Sequence, residues 1–242
     1  RAPHHHRHNS PSLHSRSNAH PRPPTDYHPQ MNRTDRRLFP LRRGERLLAG
    51  LSTTGLAAAA VLAVTSGGKE FLFYIAVVAL IMVGVFLIHR RVNLSHASLW
   101  ALFAWAVLHM LGGMWVLPST GDVLYNFWLI PCFLKYDQLI HAYGFGITAW
   151  VAWQALCSIA RPEFHGSAGL LSAAALAAMG LGALNEVIEF TATKLVEKTN
   201  VGDYDNNAWD LVFNMTGAVL AALVIGVVHN SRTPSGQRPR RA

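Results

Sequence analysis

The chain has 242 residues, of which 51% are hydrophobic and only 14% are charged. A soluble domain carries roughly a quarter charged residues, so this composition excludes an ordinary water-soluble protein. The formal net charge of +8 comes largely from the two ends, because ten arginines lie in the first 46 residues and four in the last 11. Basic residues beside apolar segments usually set membrane topology. We therefore predict no nucleic-acid binding.

The first 45 residues are rich in His, Pro, Arg and Ser and show no hydrophobic periodicity. Such a segment cannot bury enough apolar surface to fold, so a disordered cytoplasmic tail is predicted over residues 1–45. Met31 stands just before a basic segment, and we hypothesise that residues 1–30 lie upstream of the functional protein. A second basic cytoplasmic tail is predicted over residues 230–242.

Between these tails lie six apolar runs, each long enough to cross a membrane as a helix. They span about 47–65, 71–88, 97–116, 138–159, 168–193 and 208–228. The predicted fold class is therefore all-α: a polytopic membrane protein with six transmembrane helices in a compact bundle over residues 46–229. Small residues at four-residue spacing, such as Ala174, Ala178 and Gly182, predict close packing of the last three spans.

The arginines predict the orientation of these spans. They precede span one and follow spans two, four and six, so all of them fall on one side if there are six spans. The positive-inside rule then puts both termini in the cytoplasm, with the helices in the plasma (inner) membrane. The lipid bilayer is the predicted partner, and the sequence indicates no protein partner.

The loop from Pro118 to Tyr136 lies on the predicted outer side and is aromatic and apolar but broken by proline. It predicts a short interfacial helix or lid, with an aromatic belt segment as the alternative. Cys132 and Cys157 fall near opposite ends of one predicted helix, so we expect no disulfide between them.

Ionisable groups inside a membrane span are costly and usually mark a function. Glu186 and Glu189 stand near the outer end of span five, next to Asn185. Three other spans carry polar residues at the same predicted depth, namely Asp137, His141, Asp210, Asn214 and His109. Because these residues are far apart in sequence but agree in depth, we predict that they line one polar pocket.

Carboxylates and imidazole on facing helices are suitable ligands for a divalent metal ion. The predicted ligands are Asp137, His141, Glu186, Glu189 and Asp210. The first four are also the predicted catalytic residues, since without a metal they could act as acid, base or proton relay. Asn214, His109 and Asn185 are predicted to support them. A buried hydrogen-bond network without chemistry is the alternative.

Three functions fit this pocket. The first is metal-dependent chemistry on a lipid or envelope headgroup, with the Pro118–Tyr136 loop as a cover. The second is a small proton-coupled transporter, and the third is a non-catalytic membrane scaffold. The sequence has no His-Glu-x-x-His zinc helix, no Gly-x-Ser-x-Gly elbow and no phosphate-binding glycine loop, which argues against the enzyme classes that use those motifs.

Three segments together resemble the YjdF-type family of bacterial inner-membrane proteins: Lys135-Tyr136-Asp137-Gln138-Leu139-Ile140-His141, Glu186-Val187-Ile188-Glu189, and Asp210-Leu211-Val212-Phe213-Asn214-Met215-Thr216-Gly217. They are also similar to a wider VanZ-like pattern, which is associated with glycopeptide (teicoplanin) resistance. The resemblance covers roughly residues 45–228 and implies a six-helix membrane protein. Glu189 stands where VanZ-like members commonly have glutamine, which favours the YjdF-type match.

Overall fold

A computed structural model describes residues 41–66, 69–197, 199 and 201–232. This part of the chain forms six long α-helices: α1 (Arg43–Ser66), α2 (Lys69–Val92), α3 (His96–Met114), α4 (Tyr136–Cys157), α5 (Ala168–Leu195) and α6 (Tyr204–Arg232). Every helix end lies within four residues of its predicted position, and the all-α prediction is confirmed. Residues 1–40 and 233–242, which make up most of the two predicted tails, lie outside the described residues.

Five of the helices, α1, α2, α3, α5 and α6, are long and apolar enough to cross a membrane. Helix α4 is not among these five, and it begins with the polar residues Asp137, Gln138 and His141. It packs against α3, α5 and α6, and the three polar side chains are buried. Its polar face therefore contacts protein, and the membrane crossing of α4 remains a prediction.

Side-chain caps begin the later helices where the backbone would otherwise leave amides without partners. Ser95 accepts a hydrogen bond from the amide of Ser98 at the start of α3, and Ser167 caps α5 in the same way. Asp203 accepts one from the amide of Asn206 at 3.0 Å. Helix α6 consequently begins at Tyr204, four residues before the predicted start of span six.

Small residues bring α4, α5 and α6 together, as predicted. A side chain added at Gly217 of α6 would overlap the carbonyl of Ala142 in α4. Five alanines from the three helices form one buried cluster next to this contact: Ala149, Ala175, Ala178, Ala218 and Ala222. Because no long side chain separates these helices, their polar residues can meet directly.

The connection between α3 and α4 differs from the prediction. It contains a three-residue 3-10 turn (Leu124–Asn126) and an antiparallel hairpin of β1 (Trp128–Ile130) and β2 (Leu134–Lys135). The predicted interfacial helix is wrong, because Pro131 lacks an amide proton and Cys132 has a positive φ of 58°. Both features favour a tight turn. Cys132 therefore lies in the hairpin rather than in a helix, and both cysteines are free.

Because α4 and α6 are in close contact, we expect substitutions at two glycines to have very different effects on the stability of the protein. Gly217→Leu should destabilise the protein by about 3 kcal/mol or more, since overpacking a close contact forces the backbones apart. Gly180→Leu is the matched control, because a side chain at Gly180 meets nothing within 4 Å. Thermal unfolding of detergent-purified protein measures both. Equal melting temperatures for the two variants would contradict the contact.

Candidate functional site

Polar side chains from α4, α5 and α6 converge at one end of these helices. Asp137, His141, Glu186, Asp210 and Asn214 are each no more than 9% exposed, although they come from three helices. Buried polar and charged groups require partners, and these residues supply them to one another. The structure thus brings together five of the residues that the sequence predicts for the pocket.

His141, Asn214 and Glu186 form a chain of contacts across the three helices. Asn214 Nδ2 donates to Glu186 Oε1 at 3.1 Å, which leaves Asn214 Oδ1 facing His141 Nδ1 at 3.0 Å. An amide oxygen only accepts, so His141 Nδ1 is the donor in this pair. In the neutral form of His141, this arrangement leaves the lone pair on Nε2.

The Nε2 atom of His141 faces the carboxylate of Asp137, and Asp210 lies close to both residues. Nε2 lies 3.5 Å from Asp137 Oδ1, and one ligand atom from each of Asp137, His141 and Asp210 lies within 4.8 Å of the others. Ligand atoms bound to one tetrahedral ion at about 2.0–2.2 Å lie roughly 3.4 Å apart. Asp210 Oδ1 is buried and has no hydrogen-bond partner among the described residues. These three side chains are candidate ligands for a divalent cation, and a cation bound there would partner that oxygen.

A second group of possible ligands lies on the Nδ1 side of His141. It consists of His141, Glu186 and Glu189, with Glu186 Oε1 3.5 Å from Nδ1. Asn185 Nδ2 donates to Glu189 Oε1 at 2.7 Å, the supporting role predicted for it. Because Nδ1 already donates a hydrogen bond to Asn214, we regard the Asp137–His141–Asp210 group as the better metal site.

Two asparagines in the first turn of α6 join the site, and sequence reasoning missed both. Asn206 Nδ2 donates to Asp210 Oδ2 at 2.7 Å and lies 3.3 Å from Asp137 Oδ2. Asn207 Nδ2 donates to Glu186 Oε2 at 3.3 Å. The signal that reveals them is the capping residue Asp203: it starts α6 early enough to place Asn206 one turn before Asp210.

His109 of α3, which the sequence predicts as a supporting residue, lies beside the cluster and contacts aromatic side chains. Its ring packs against Trp105 and Tyr125, and its Nδ1 is buried without a hydrogen-bond partner among the described residues. Tyr125 donates its hydroxyl to the backbone carbonyl of His109 at 2.6 Å. Burial raises the pKa of the Tyr125 phenol well above its usual value, so this residue remains a donor.

A small polar cavity of about 60 Å³ lies next to these residues. Its polar lining includes Glu70, Tyr74, His109, Tyr125, Asp137, Glu189 and Asn206. A site of this size and polarity has room for a few water molecules. A reactant could therefore approach Asp137 and Glu189 from this side, and Tyr74 is another residue that sequence reasoning missed.

A second polar cluster lies at the opposite end of the helices. Glu45 Oε1 is 3.1 Å from His96 Nε2 and 3.7 Å from His89 Nε2, and the amide of Arg42 donates to Glu45 Oε2. The cluster ties the start of α1 to the end of α2 and the start of α3. The sequence assigns it no role, because nothing in the linear spacing of these residues brings them together.

The comparisons with known proteins agree with this architecture. The family model described as "Predicted membrane protein (DUF2238)" matches residues 47–231, which is more than half of the chain and includes nearly all of α1 to α6. No curated protein and no solved structure matches the chain. The match and the apolar helices identify a multi-pass membrane protein, and the chain belongs to the DUF2238 family of membrane proteins.

Proposed function

We propose that this protein binds a divalent metal ion in its buried acidic cluster and uses it for chemistry on a lipid or envelope headgroup. The observation that carries the proposal is the position of Asp210 Oδ1. This oxygen is buried without a hydrogen-bond partner among the described residues, and one ligand atom of Asp210 lies within 4.8 Å of one from His141 and one from Asp137. An ionised carboxylate buried without compensation is costly, and a cation removes that cost.

The surrounding residues suit the proposed metal. Asp137, His141 and Asp210 would be its ligands, a set of two oxygens and one nitrogen that suits Zn²⁺, Mn²⁺ or Fe²⁺. Asn214 would orient His141, as partners of metal-bound histidines commonly do. Glu186 and Glu189, which the sequence also predicts as ligands, would complete the coordination or accept a proton.

The metal would supply Lewis acidity and an acidified water. In a hydrolysis, the oxygen of that water would bond to the electrophilic atom of the headgroup ester while the bond from that atom to the leaving oxygen breaks. Glu186 or Glu189 would accept a proton from the water, and the leaving oxygen would take up a proton to become an alcohol.

A transporter is less well supported than an enzyme. Transport needs a polar path through the membrane, but the helices that form the site close immediately beyond it. Ala149, Ala178 and Ala218 are fully buried, one or two turns from the polar cluster along α4, α5 and α6. This contact closes the space between α4, α5 and α6 beyond the site.

The distribution of charge supports the predicted orientation. We call the end that holds Glu45 and His89 the Glu45 end, and the opposite end, where Glu189 lies, the Glu189 end. The arginines of the described helices and loops lie at the Glu45 end: Arg42, Arg43, Arg46, Arg90, Arg91 and Arg161. By the positive-inside rule, we propose that this end faces the cytoplasm and that six helices cross the plasma membrane.

The motifs around Asp137, Glu186 and Asp210 further support a YjdF-type relationship within the family, with the VanZ-like pattern as a more distant one. We therefore propose a YjdF-type relationship for this chain.

The native cysteines offer a test of orientation. Cys132 is exposed in the hairpin at the Glu189 end, so a membrane-impermeant maleimide should label it on intact cells. Cys132→Ser should abolish that labelling, whereas Cys157→Ser should retain it. Labelling of Cys132 only after permeabilisation would reverse the proposed orientation.

If the proposed metal site is correct, removal of one of its carboxylates should weaken metal binding. Asp210→Asn should lower the affinity for Zn²⁺ or Mn²⁺ by at least about 100-fold, since a directly bound ligand is lost and second-shell changes alone cost about 10–100-fold. Asp205→Asn is the matched control, because Asp205 is exposed in the first turn of the same helix. Elemental analysis and metal titration of purified protein measure both.

The same variants separate the enzyme from a scaffold. In proteoliposomes with headgroup-labelled lipids, the wild type and Asp205→Asn should release label, and Asp210→Asn should not. The double variant Glu186→Gln, Glu189→Gln tests the alternative. If the wild type releases no headgroup label, and the double variant changes stability without changing the cellular phenotype, the cluster is structural and the proposed chemistry is wrong.

Asn214 should act on the metal through His141. Asn214→Leu removes the acceptor for Nδ1, so the tautomer is no longer fixed and metal affinity should fall about 10–100-fold. Asn207→Ala removes only the second donor to Glu186 and should change the affinity little. Titration of both variants with Zn²⁺ distinguishes them, and an unchanged affinity in Asn214→Leu would contradict the assigned tautomer.

A further inference from the structure

A large apolar groove lies between α1, α2 and α3 and ends against α5. Its volume is about 960 Å³, which lies at the upper end of the range for small-molecule sites. Its walls are almost entirely apolar and include Leu56, Val78, Met82, Leu102 and Met110. Helix α1 contacts both α2 and α3, so these three helices bound the groove, and Asn185, Ile188 and Glu189 of α5 line one end of it.

The groove is long enough for an extended hydrocarbon chain. Its lining residues on α1 run from Glu45 to Leu62, a distance of about 26 Å at 1.5 Å per residue. The hydrocarbon core of a bilayer is about 30 Å thick. A small solute would leave most of such a groove unfilled, whereas a lipid chain matches both its length and its apolar walls.

The groove ends at the proposed site. Asn185 and Glu189 of α5 line it together with Tyr74 and His109, and three of these four residues also line the small polar cavity beside Asp137. The Tyr74 hydroxyl and His109 Nδ1 are buried without hydrogen-bond partners among the described residues. The apolar groove is therefore continuous with a polar end whose donors and acceptors are available to a ligand.

The charge at this end favours a cationic group. The lining of the groove and of the small cavity includes Glu70, Asp137 and Glu189, and no lysine or arginine among the described residues. A purely anionic headgroup would be repelled there. An ammonium group could pair with Glu189, and the carboxylates of Glu70 and Asp137 would also attract it. A desolvated ion pair of this kind contributes to specificity more than to total affinity.

We infer that the groove holds the apolar chain of a membrane lipid whose headgroup carries a primary amine, with that amine against Glu189. This inference rests on the proposed function in that it names the substrate class of the same site. The chain would lie between α1, α2 and α3. The headgroup would then extend from Glu189 toward Asp137 and His141, where the proposed chemistry takes place.

The chain-binding part is tested by filling the groove. Gly55 lines it and Gly50 does not, although both lie on α1 and have open space around them. Lipid retained by the purified full-length chain is measured by native mass spectrometry after exchange into mild detergent. Gly55→Trp should lower retention at least about tenfold, and Gly50→Trp should not. Ala106→Trp on the opposite wall carries the same expectation should Gly55→Trp fail to fold.

The headgroup part uses phosphatidylethanolamine and phosphatidylglycerol with identical acyl chains. The wild type should prefer the ethanolamine lipid about tenfold, equivalent to about 1.4 kcal/mol. Glu189→Gln should remove that preference while total lipid retention persists. Equal retention of both lipids by the wild type, or a preference for the glycerol lipid, would overturn the amine assignment.

Metal content is measured on the same samples, so that failure of the proposed metal chemistry can be distinguished from failure of the proposed lipid binding. A metal-free protein that still prefers the ethanolamine lipid retains this inference and rejects the proposed metal chemistry. A metal-loaded protein whose lipid retention is unaffected by both groove variants rejects the inference alone. Pairing of two chains through the groove, seen as a dimer that Gly55→Trp converts to monomer, would also overturn it.

Discussion

The approach of α4 to α6 at Gly217 is the constraint on which the site depends. Without a side chain at this position, the backbone of α6 lies directly against Ala142. His141, the preceding residue on α4, then comes within 3.0 Å of Asn214, which stands one turn before Gly217. A bulkier residue would move the two helices apart and break the link between histidine and amide, together with the contact of that amide with Glu186.

This link gives the two sides of the His141 ring different roles. Asn214 accepts a hydrogen bond from Nδ1, and Nε2 faces the carboxylate of Asp137, with Asp210 close to both His141 and Asp137. The asymmetry matters because several acidic groups are buried together in surroundings that are otherwise apolar. Such groups repel one another unless protons, hydrogen-bond donors or a cation compensate them. Asn206, Asn207 and Asn185 supply donors, but Asp210 Oδ1 stays without one among the described residues.

Helices α4, α5 and α6 pack more closely against one another than α1, α2 and α3 do. Helices α4, α5 and α6 pack through alanine and glycine and hold the polar side chains rigidly. Helices α1, α2 and α3 are tied together at the Glu45 end by Glu45, His89 and His96, while an apolar groove remains between them and α5. A rigid polar centre at the end of a long apolar space is the arrangement that an amphiphilic ligand requires.

The sequence by itself determined the helices, because runs of about 20 apolar residues interrupted by charged loops have few other stable structures in a membrane. It also determined that Asp137, His141, Glu186 and Asp210 meet, since helix direction and rise place them at one depth. Depth does not determine rotation about the helix axis. Only the tertiary structure decided that His141 contacts Asn214 through Nδ1, that Asn206 and Asn207 join the site, and that His109 lies beside it. The Glu45 cluster and the groove likewise depend on how helices distant in sequence rotate and pack, which is a matter of side-chain shape and not of hydrophobic pattern.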